Sequence, residues 1–252
     1  MEKASGAHSG KEKMKFYRNE QIEQIAEQRL VDFERKLGRP AGLPIDVELF
    51  GELVLDLSIL WDDIEELPGE EILAGLKPGE RLIVMNERRR DEMEAKPGRR
   101  RLTQGHEMGH WDLFVDNAKL DHPALFDVVA PAIFAYRSTK IGQVQIIKTL
   151  LACEEGRDLL HQINFRADTP DEARSVNRYA AGILMPRTSI IDEAKKIDRT
   201  RWRNLYSLAE QFGVTISALR VRLEQLDLLY VDQETSTLYS SREQAQGQGQ
   251  LF

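Results

Sequence analysis

Residues 106–110 read HEMGH, an HExxH motif within the segment RRRLTQGHEMGHWDLFV. If Leu102 to Val115 form a helix, two positions four apart lie about 40° apart around the axis and about 6 Å along it. His106 and His110 then point from one face and can reach a single zinc ion at about 2.0–2.1 Å each. Glu107 flanks that face, where a carboxylate can take a proton from an attacking water. Since five residues can match by coincidence on a helix surface, the rest of the chain has to support a zinc site.

The composition is that of a globular protein and excludes several classes of site. The 252 residues suffice for one large domain, or for one domain with a small appendage. With Cys153 as its single cysteine, the chain can form neither an internal disulfide nor a cysteine-rich zinc site. The net charge of −7 argues against a nucleic acid as partner of the whole surface. No apolar run has the length of a membrane span and the N-terminus has no leader-like apolar region, so we expect a cytoplasmic protein without a membrane partner.

The first part of the chain predicts helices and a small group of strands. Apolar residues recur at helical spacing from Arg18 to Leu37, and a short helix should open near Asp46. The run LSILWDDI predicts a strand, and two more strands should flank a turn at 77–79. We interpret the charged stretch from 86 to 102 as a solvated loop. Alternatively, its arginines steer an acidic or nucleic-acid-bound partner towards the cleft.

Two glycines, Gly105 and Gly109, stand four apart on one side of the predicted motif helix. Glycine costs about 1 kcal/mol relative to alanine inside a helix, so two in register indicate the close approach of another backbone. Met108, Trp111 and Val115 share another sector and are expected to pack in the core. The motif helix should therefore have a tightly packed neighbour.

Helix signals also mark the second half of the chain. The sequence TPDE at 169–172 combines a capping threonine, a first-turn proline and two acids, and predicts a helix that ends at Pro186. Residues 204–226 predict a helix, a turn at 213–215 and a second helix, the pattern of a helix-turn-helix.

Three separated segments together resemble the ImmA/IrrE family of zinc metallopeptidases. TQGHEMGHW is similar to that family's T-x-A-H-E-x-G-H, and NRYAAGILMP, at 177–186, is similar to its A-N-x-F-A-x-x-L-L-M-P. LAEQFGVTISALRVRLEQL is similar to a third family segment, and the three follow one another in the family's order. With IVMN ahead of the motif, the resemblance covers most of residues 40–230.

The resemblance implies an α+β fold, in which a zincin-like metallopeptidase domain with a small sheet and the HExxH helix is followed by a helix-turn-helix-like helical region. By analogy with zincins, the strand at Leu82 to Met85 is expected to be an edge strand that holds the substrate. The resulting division of the chain is a disordered tail at 1–13, a peptidase domain at 14–192 with an inserted helical segment at about 139–167, a helix-turn-helix-like region at 193–232, and a partly disordered tail at 233–252.

The resemblance also implies the zinc site. His106 and His110 are expected to bind Zn²⁺, Glu107 to act as the general base, and a downstream glutamate to be the third ligand. Asn177 is expected to orient one of the ligands, although a helix-capping or solvent-facing amide is the alternative.

The third ligand departs from the family pattern. The family has its glutamate four residues before the asparagine, a position occupied here by Ala173. Glu172 stands five residues before it, about 140° round a regular helix, so it can bind zinc only if the first helical turn departs from α geometry, for instance by a π-bulge. We assign the third ligand to Glu172, ahead of Asp171 and of Glu154 or Glu155.

By the resemblance, the expected function is that of a zinc-dependent, gluzincin-like endopeptidase. Family members cleave a helix-turn-helix-type repressor and thereby derepress mobile-element or stress-response genes. Two alternatives stay open: a DNA-binding transcriptional regulator, and a catalytically inactive family member that binds partners. Direct DNA binding, in which Arg220 and Arg222 would take part, is not favoured, because acidic and neutral residues at 224–227 dilute the positive charge.

A donor that stabilises the oxyanion is not identified by the sequence. His122, His161 and Tyr179 carry suitable groups. Tyr179 stands where the family has phenylalanine, so we expect it to pack in the core.

Overall fold

The computed structural model describes residues 16–66, 71–115, 134–136, 165–167, 170–232 and 234–248. Most of these residues lie in helices and the described strands form small sheets, so the fold is α+β. The helices are α1 (Asn19–Leu37), α2 (Val47–Phe50), α3 (Arg90–Ala95), α4 (Pro97–Phe114), α5 (Pro170–Leu184), α6 (Arg187–Lys195), α7 (Trp202–Phe212), α8 (Ile216–Gln225) and α9 (Arg242–Gln248). The strands are β1 (Ser58–Asp62), β2 (Ala74–Lys77), β3 (Leu82–Asn86), β4 (Phe134–Tyr136), β5 (Phe165–Ala167), β6 (Tyr230–Val231) and β7 (Leu238–Tyr239).

The centre of the fold is a group of three helices, in which α5 packs against both α4 and α1. The approach of α1 to α5 is close: a Cβ on Gly182 would lie 2.9 Å from the Cβ of Ala26. The helix predicted from Arg18 to Leu37 and the helix predicted to end at Pro186 are confirmed as α1 and α5. A short π-helical segment, Gly51–Leu55, follows α2, which begins after the predicted Asp46.

The sheet beside this helical group has the order β1-β3-β2. β1 runs parallel to β3, with Ser58 opposite Leu82, and β2 runs antiparallel to it, with Ala74 opposite Met85. The three predicted strands are therefore present, but the expectation that β3 is an edge strand is wrong. Because β3 is hydrogen-bonded on both sides, it has no free edge for a substrate. The edges of this sheet are β1 and β2, and β2 lies beside β4.

The charged stretch expected as a solvated loop is helical, since it forms a 3-10 turn at Glu87–Arg89, then α3 and the first turn of α4. Several of its arginines pair with acids of the same protein. Arg89 Nη2 lies 2.6 Å from Glu66 Oε2, and Arg99 Nη2 lies 2.8 Å from Glu71 Oε1. These ion pairs hold the segment against the residues that precede β2.

The predicted helix-turn-helix is confirmed as α7 and α8. They are joined by Gly213, whose φ of 62° is readily adopted by glycine, and by Val214 and Thr215. Thr215 caps α8, because its side chain accepts a hydrogen bond from the backbone of Ala218. In the segment expected as a C-terminal tail, β7 pairs with β6 and α9 follows.

Two expected segments lie wholly or mostly outside the described residues: the N-terminal tail at 1–13, and the insertion at about 139–167, of which only β5 is described. Over the part of the chain that is described, no helix is both long and apolar enough to cross a lipid bilayer.

Candidate metal centre

The motif helix α4 begins at Pro97, which suits the first helical turn because proline has no amide to leave unpaired there. His106 and His110 lie one turn apart near its middle and are almost fully buried, at 1% and 8% exposure. Met108 and Trp111 are buried in the hydrophobic core, as predicted. The core therefore fixes the rotation of α4 about its own axis, and with it the direction of both imidazoles.

The two imidazoles bring their Nε2 atoms close together. Their Nε2 atoms are 3.2 Å apart, and the ring planes meet at 68°. Two nitrogen ligands at about 2.0–2.1 Å from a tetrahedral zinc lie about 3.3 Å apart. The histidine pair thus has the spacing of two ligands of one zinc ion.

Asn177 contacts the other side of His106, since its Oδ1 lies 3.0 Å from His106 Nδ1. A carbonyl oxygen only accepts hydrogen bonds, so His106 Nδ1 is the donor and Nε2 keeps its lone pair for a metal. Asn177 therefore fixes both the orientation and the tautomer of the imidazole. Its side-chain oxygen is thus bound to an imidazole and does not cap a helix.

The two helices that carry these residues meet at the predicted glycines. A Cβ on Gly105 would lie 3.1 Å from the Cβ of Ala180, and a Cβ on Gly109 would lie 3.0 Å from that of Val176. We call these four residues the seam row. Because Gly105 meets the later residue of α5 and Gly109 the earlier one, α4 and α5 run antiparallel.

A second row runs beside the seam row along α4, formed by Leu102, His106 and His110, which are spaced four apart on one face. We call it the histidine row. Because the helices are antiparallel, each step of four residues forward on α4 corresponds to a step of four residues back on α5. Leu102 lines the same cleft as Ala181, and His106 contacts Asn177. The next step places Ala173 opposite His110.

Glu172, the predicted third ligand, lies outside the histidine row. Glu172 is buried, at 4% exposure, but it lies four residues before Val176 and so continues the seam row. α5 is α-helical from Pro170 to Leu184, so the π-bulge that could turn Glu172 towards the histidine row is absent. Asp171 is exposed and pairs with Arg174.

Glu154 and Glu155, the other candidates, lie outside the described residues. Across the described ranges, no group of three or more histidine, cysteine, aspartate or glutamate side chains has the arrangement of a metal site. Glu172 therefore stays a prediction.

Glu107 is fully buried on α4. Helical periodicity places it about 60–100° beyond the histidines, on the side of the histidine row away from α5. Its carboxylate therefore flanks the direction in which the imidazoles point, which is the position that a general base requires.

Behind the histidines lies a polar contact that the sequence did not indicate. Arg29 on α1 binds Asp112, two residues after His110, through Nη2–Oδ1 and Nε–Oδ2 contacts of 2.6 and 2.9 Å. Burial, and then the charge of Asp112, raise the pKa of Tyr179 well above the ordinary tyrosine value. Tyr179 is fully buried in the core, as expected, whereas His122 and His161 lie outside the described residues.

Comparison with known proteins assigns no family. No protein-family model matches the chain, and no curated protein matches it. Among solved structures the chain is similar to a Mycobacterium tuberculosis transcriptional regulator, with 14% identity and a TM-score of 0.42. The alignment covers 82% of this chain and 48% of that one, so the chain spans about half the length of that structure. A likeness of this size carries no argument about function.

Proposed function

We propose that this protein is a zincin-like, zinc-dependent endopeptidase that cleaves a helix-turn-helix-type repressor. The observation that carries the proposal is the buried histidine pair, with Nε2 atoms 3.2 Å apart and one imidazole oriented by Asn177. Two histidines in this relation, with the buried Glu107 between them in sequence, are what a zinc site built on HExxH requires. Coincidence on a helix surface does not account for their burial or for the asparagine contact.

Each residue has a role in this proposal. A bound zinc supplies Lewis-acid chemistry and lowers the pKa of water to about 7. His106 and His110 hold the metal, and Asn177 keeps the lone pair of His106 directed at it. Glu107 takes a proton from the attacking water and later delivers it to the leaving amine. Glu172 is the proposed third ligand. Its carboxylate has to extend from the seam row towards the histidine row to bind the metal.

The nature of the substrate rests on the family resemblance and on one feature of the helix-turn-helix. Arg222, a candidate DNA contact, is fully buried and bound to Glu23, with Nη1–Oε1 at 2.6 Å and Nη2–Oε2 at 2.8 Å. Arg220 lies near Glu224. A helix that reads DNA exposes polar and basic side chains to the bases. The second helix of this unit buries one of its arginines, which supports a protein partner over a nucleic acid.

The experiment that tests the proposal combines metal analysis with cleavage. The purified protein should contain about one zinc per chain, and His110→Ala should lose it. Glu107→Gln should keep the zinc but lose cleavage of the co-expressed repressor. Measuring the zinc content distinguishes a variant that has lost the metal from one that has lost only the general base. A wild-type protein without zinc would contradict the proposal.

A second candidate function is that of an inactive family member that binds its partner without cutting it. The feature in its favour is Ala173, which stands in the sequence where the resemblance expects a carboxylate. A protein that binds the repressor in a pull-down, but neither holds zinc nor cleaves, would favour this candidate. The regulator alternative predicts tight, salt-sensitive binding of duplex DNA that survives Glu107→Gln.

A further inference from the structure

A cleft lies at the Leu102 end of the histidine row. The cleft has a volume of about 490 Å³, within the range of about 300–1,000 Å³ that is typical of small-ligand pockets. Leu102 on α4 lies on its floor, and Asn177 and Ala181 on α5 form one wall. Because Asn177 lines the cleft and also contacts His106, the cleft lies beside the candidate metal centre.

The opposite wall is the second helix of the helix-turn-helix. Ser217, Ala218, Val221 and Gln225 of α8 line the cleft. They fall within an arc of about 100° on one face of that helix. Val221 is 43% exposed, although valine is apolar. This face of α8 is therefore directed into the cleft.

The position of α8 is fixed at both ends. At its start, a Cβ on Gly98 of α4 would lie 2.7 Å from the carbonyl carbon of Val214 and 2.8 Å from the amide nitrogen of Thr215, so the backbones nearly touch. Further along, the guanidinium of Arg222 binds Glu23 on α1 and donates from Nε to the carbonyl of Met185 at 3.2 Å. The cleft is thus built between elements that are held in place.

The chemistry of the cleft fits an uncharged, largely apolar peptide segment. Carbon side chains from Leu73, Leu102 and Val221 line it, and Ser217 and Gln225 offer hydrogen bonds to a peptide backbone. Arg99 also lines it, but its guanidinium is bound to Glu71 and Glu92. An anion such as a phosphate would have to compete with both carboxylates, which argues against a nucleic acid.

We propose that this cleft, walled by α8, is a specificity pocket that receives an apolar side chain of the protein substrate next to the scissile bond. The inference rests on the proposed peptidase function and gives the helix-turn-helix a role in it. Its second helix selects the peptide that is cut, and Val221 is the residue that discriminates. A pocket of this kind distinguishes side chains that differ by one methylene by about 10–200-fold.

The test compares cleavage-site preferences in a library of peptides made by digesting a total protein extract with a glutamate-specific protease, so that lysine and arginine occur inside the peptides. Zinc-loaded wild type, Val221→Asp and Val221→Phe are each incubated with the library, and mass spectrometry identifies the new termini. Glu107→Gln gives the background. Val31→Asp is the matched control, because Val31 is also an exposed valine on a helix, but it lies on α1 and outside the cleft.

The wild type should prefer an apolar residue at one fixed position relative to the cut. Val221→Asp should reduce this preference by about tenfold or more and favour lysine or arginine there, while Val221→Phe should favour smaller residues. Val31→Asp should keep the wild-type pattern. Cleavage by the wild type with a pattern that neither Val221 variant changes would overturn the specificity pocket alone. No cleavage by the zinc-loaded wild type would overturn both the pocket and the peptidase.

Discussion

Asn177 Oδ1 lies 3.0 Å from Nδ1 of His106, a residue 71 positions earlier in the chain. This contact joins two of the three segments that carry the family resemblance, because one holds the HExxH motif and the other the asparagine. It also gives the asparagine a chemical task, which is to hold the imidazole as the tautomer that a metal needs.

Replacing Asn177 by alanine should weaken zinc binding about 10–100-fold, the usual cost of losing a partner of a metal-bound histidine. The dissociation constant, measured against a competing chelator, checks this. Asn204→Ala is the control, since the amide of Asn204 binds the carbonyl of Asp198 in the helix-turn-helix. Equal zinc affinity in Asn177→Ala and the wild type would show that the contact has no role in metal binding.

The third ligand can be tested by moving a carboxylate between rows. Glu172→Ala should lower zinc affinity by at least about 100-fold, more than the loss of an outer partner costs. Adding Ala173→Glu to that variant should restore binding, because position 173 faces His110 in the histidine row. The combination of Glu172→Ala with Ala173→Gln is the matched control without the charge. Asp171→Ala, which removes an exposed acid, should bind zinc as the wild type does. Loss of zinc in Asp171→Ala but not in Glu172→Ala would reverse the assignment.

The sequence predicted those parts of the site that depend on local signals. A capping threonine, a proline and first-turn acids are read within one helical turn, so the start of α5 was predictable from neighbouring residues. Gly105 and Gly109 predicted a close neighbour, because glycine has no side chain and lets another backbone approach the helix. The identity of that neighbour, α5, followed only from the structure.

The features that the sequence did not predict depend on partners that are distant in the chain. The charged stretch around α3 looked like a solvated loop, because Glu66 and Glu71, which pair with its arginines, come from a separate segment. The burial of Arg222 was likewise not predictable, because its partner Glu23 lies 199 positions away in the chain. The order of strands is likewise not a local property, so β3 was placed at the edge when it is central.

The seam row predicts an unusual response to alanine. At an ordinary helical position, Gly→Ala stabilises by up to about 1 kcal/mol. A Cβ on Gly109 would lie 3.0–3.1 Å from the Cβ, Cα and carbonyl oxygen of Val176, and two of these atoms are backbone. Gly109→Ala should therefore lower the free energy of unfolding by about 1–3 kcal/mol, the cost of overpacking. Urea denaturation measures it.

Gly247→Ala is the control for this prediction. Gly247 lies in α9, and a Cβ there would have no atom within 4 Å. This variant should be as stable as the wild type or slightly more so. If Gly109→Ala proved equally harmless, α4 and α5 would have to be further apart than the structure places them.

The ion cluster that anchors α8 predicts how stability responds to acid. Burial by itself would raise the pKa of Glu23, but the hydrogen bonds and charges of Arg222 and Arg178 outweigh it and lower that pKa. A lowered carboxyl pKa means that the stabilisation is fully present above the unfolded-state value of about 4.3, and is lost as the pH falls through the folded-state value. Glu23→Gln should therefore cost about 3–5 kcal/mol of unfolding free energy at pH 7, because it leaves Arg222 buried without its counter-ion.

The difference between Glu23→Gln and the wild type should then shrink as the pH falls below about 4, because the wild-type carboxyl becomes neutral as well. Urea denaturation at a series of pH values measures this difference. Glu27→Gln, an exposed substitution one turn along α1, should change stability little at any pH. A Glu23→Gln penalty that stayed constant from pH 7 to pH 3 would mean that the loss comes from packing, and that the charge of Glu23 does not hold α8 at the cleft.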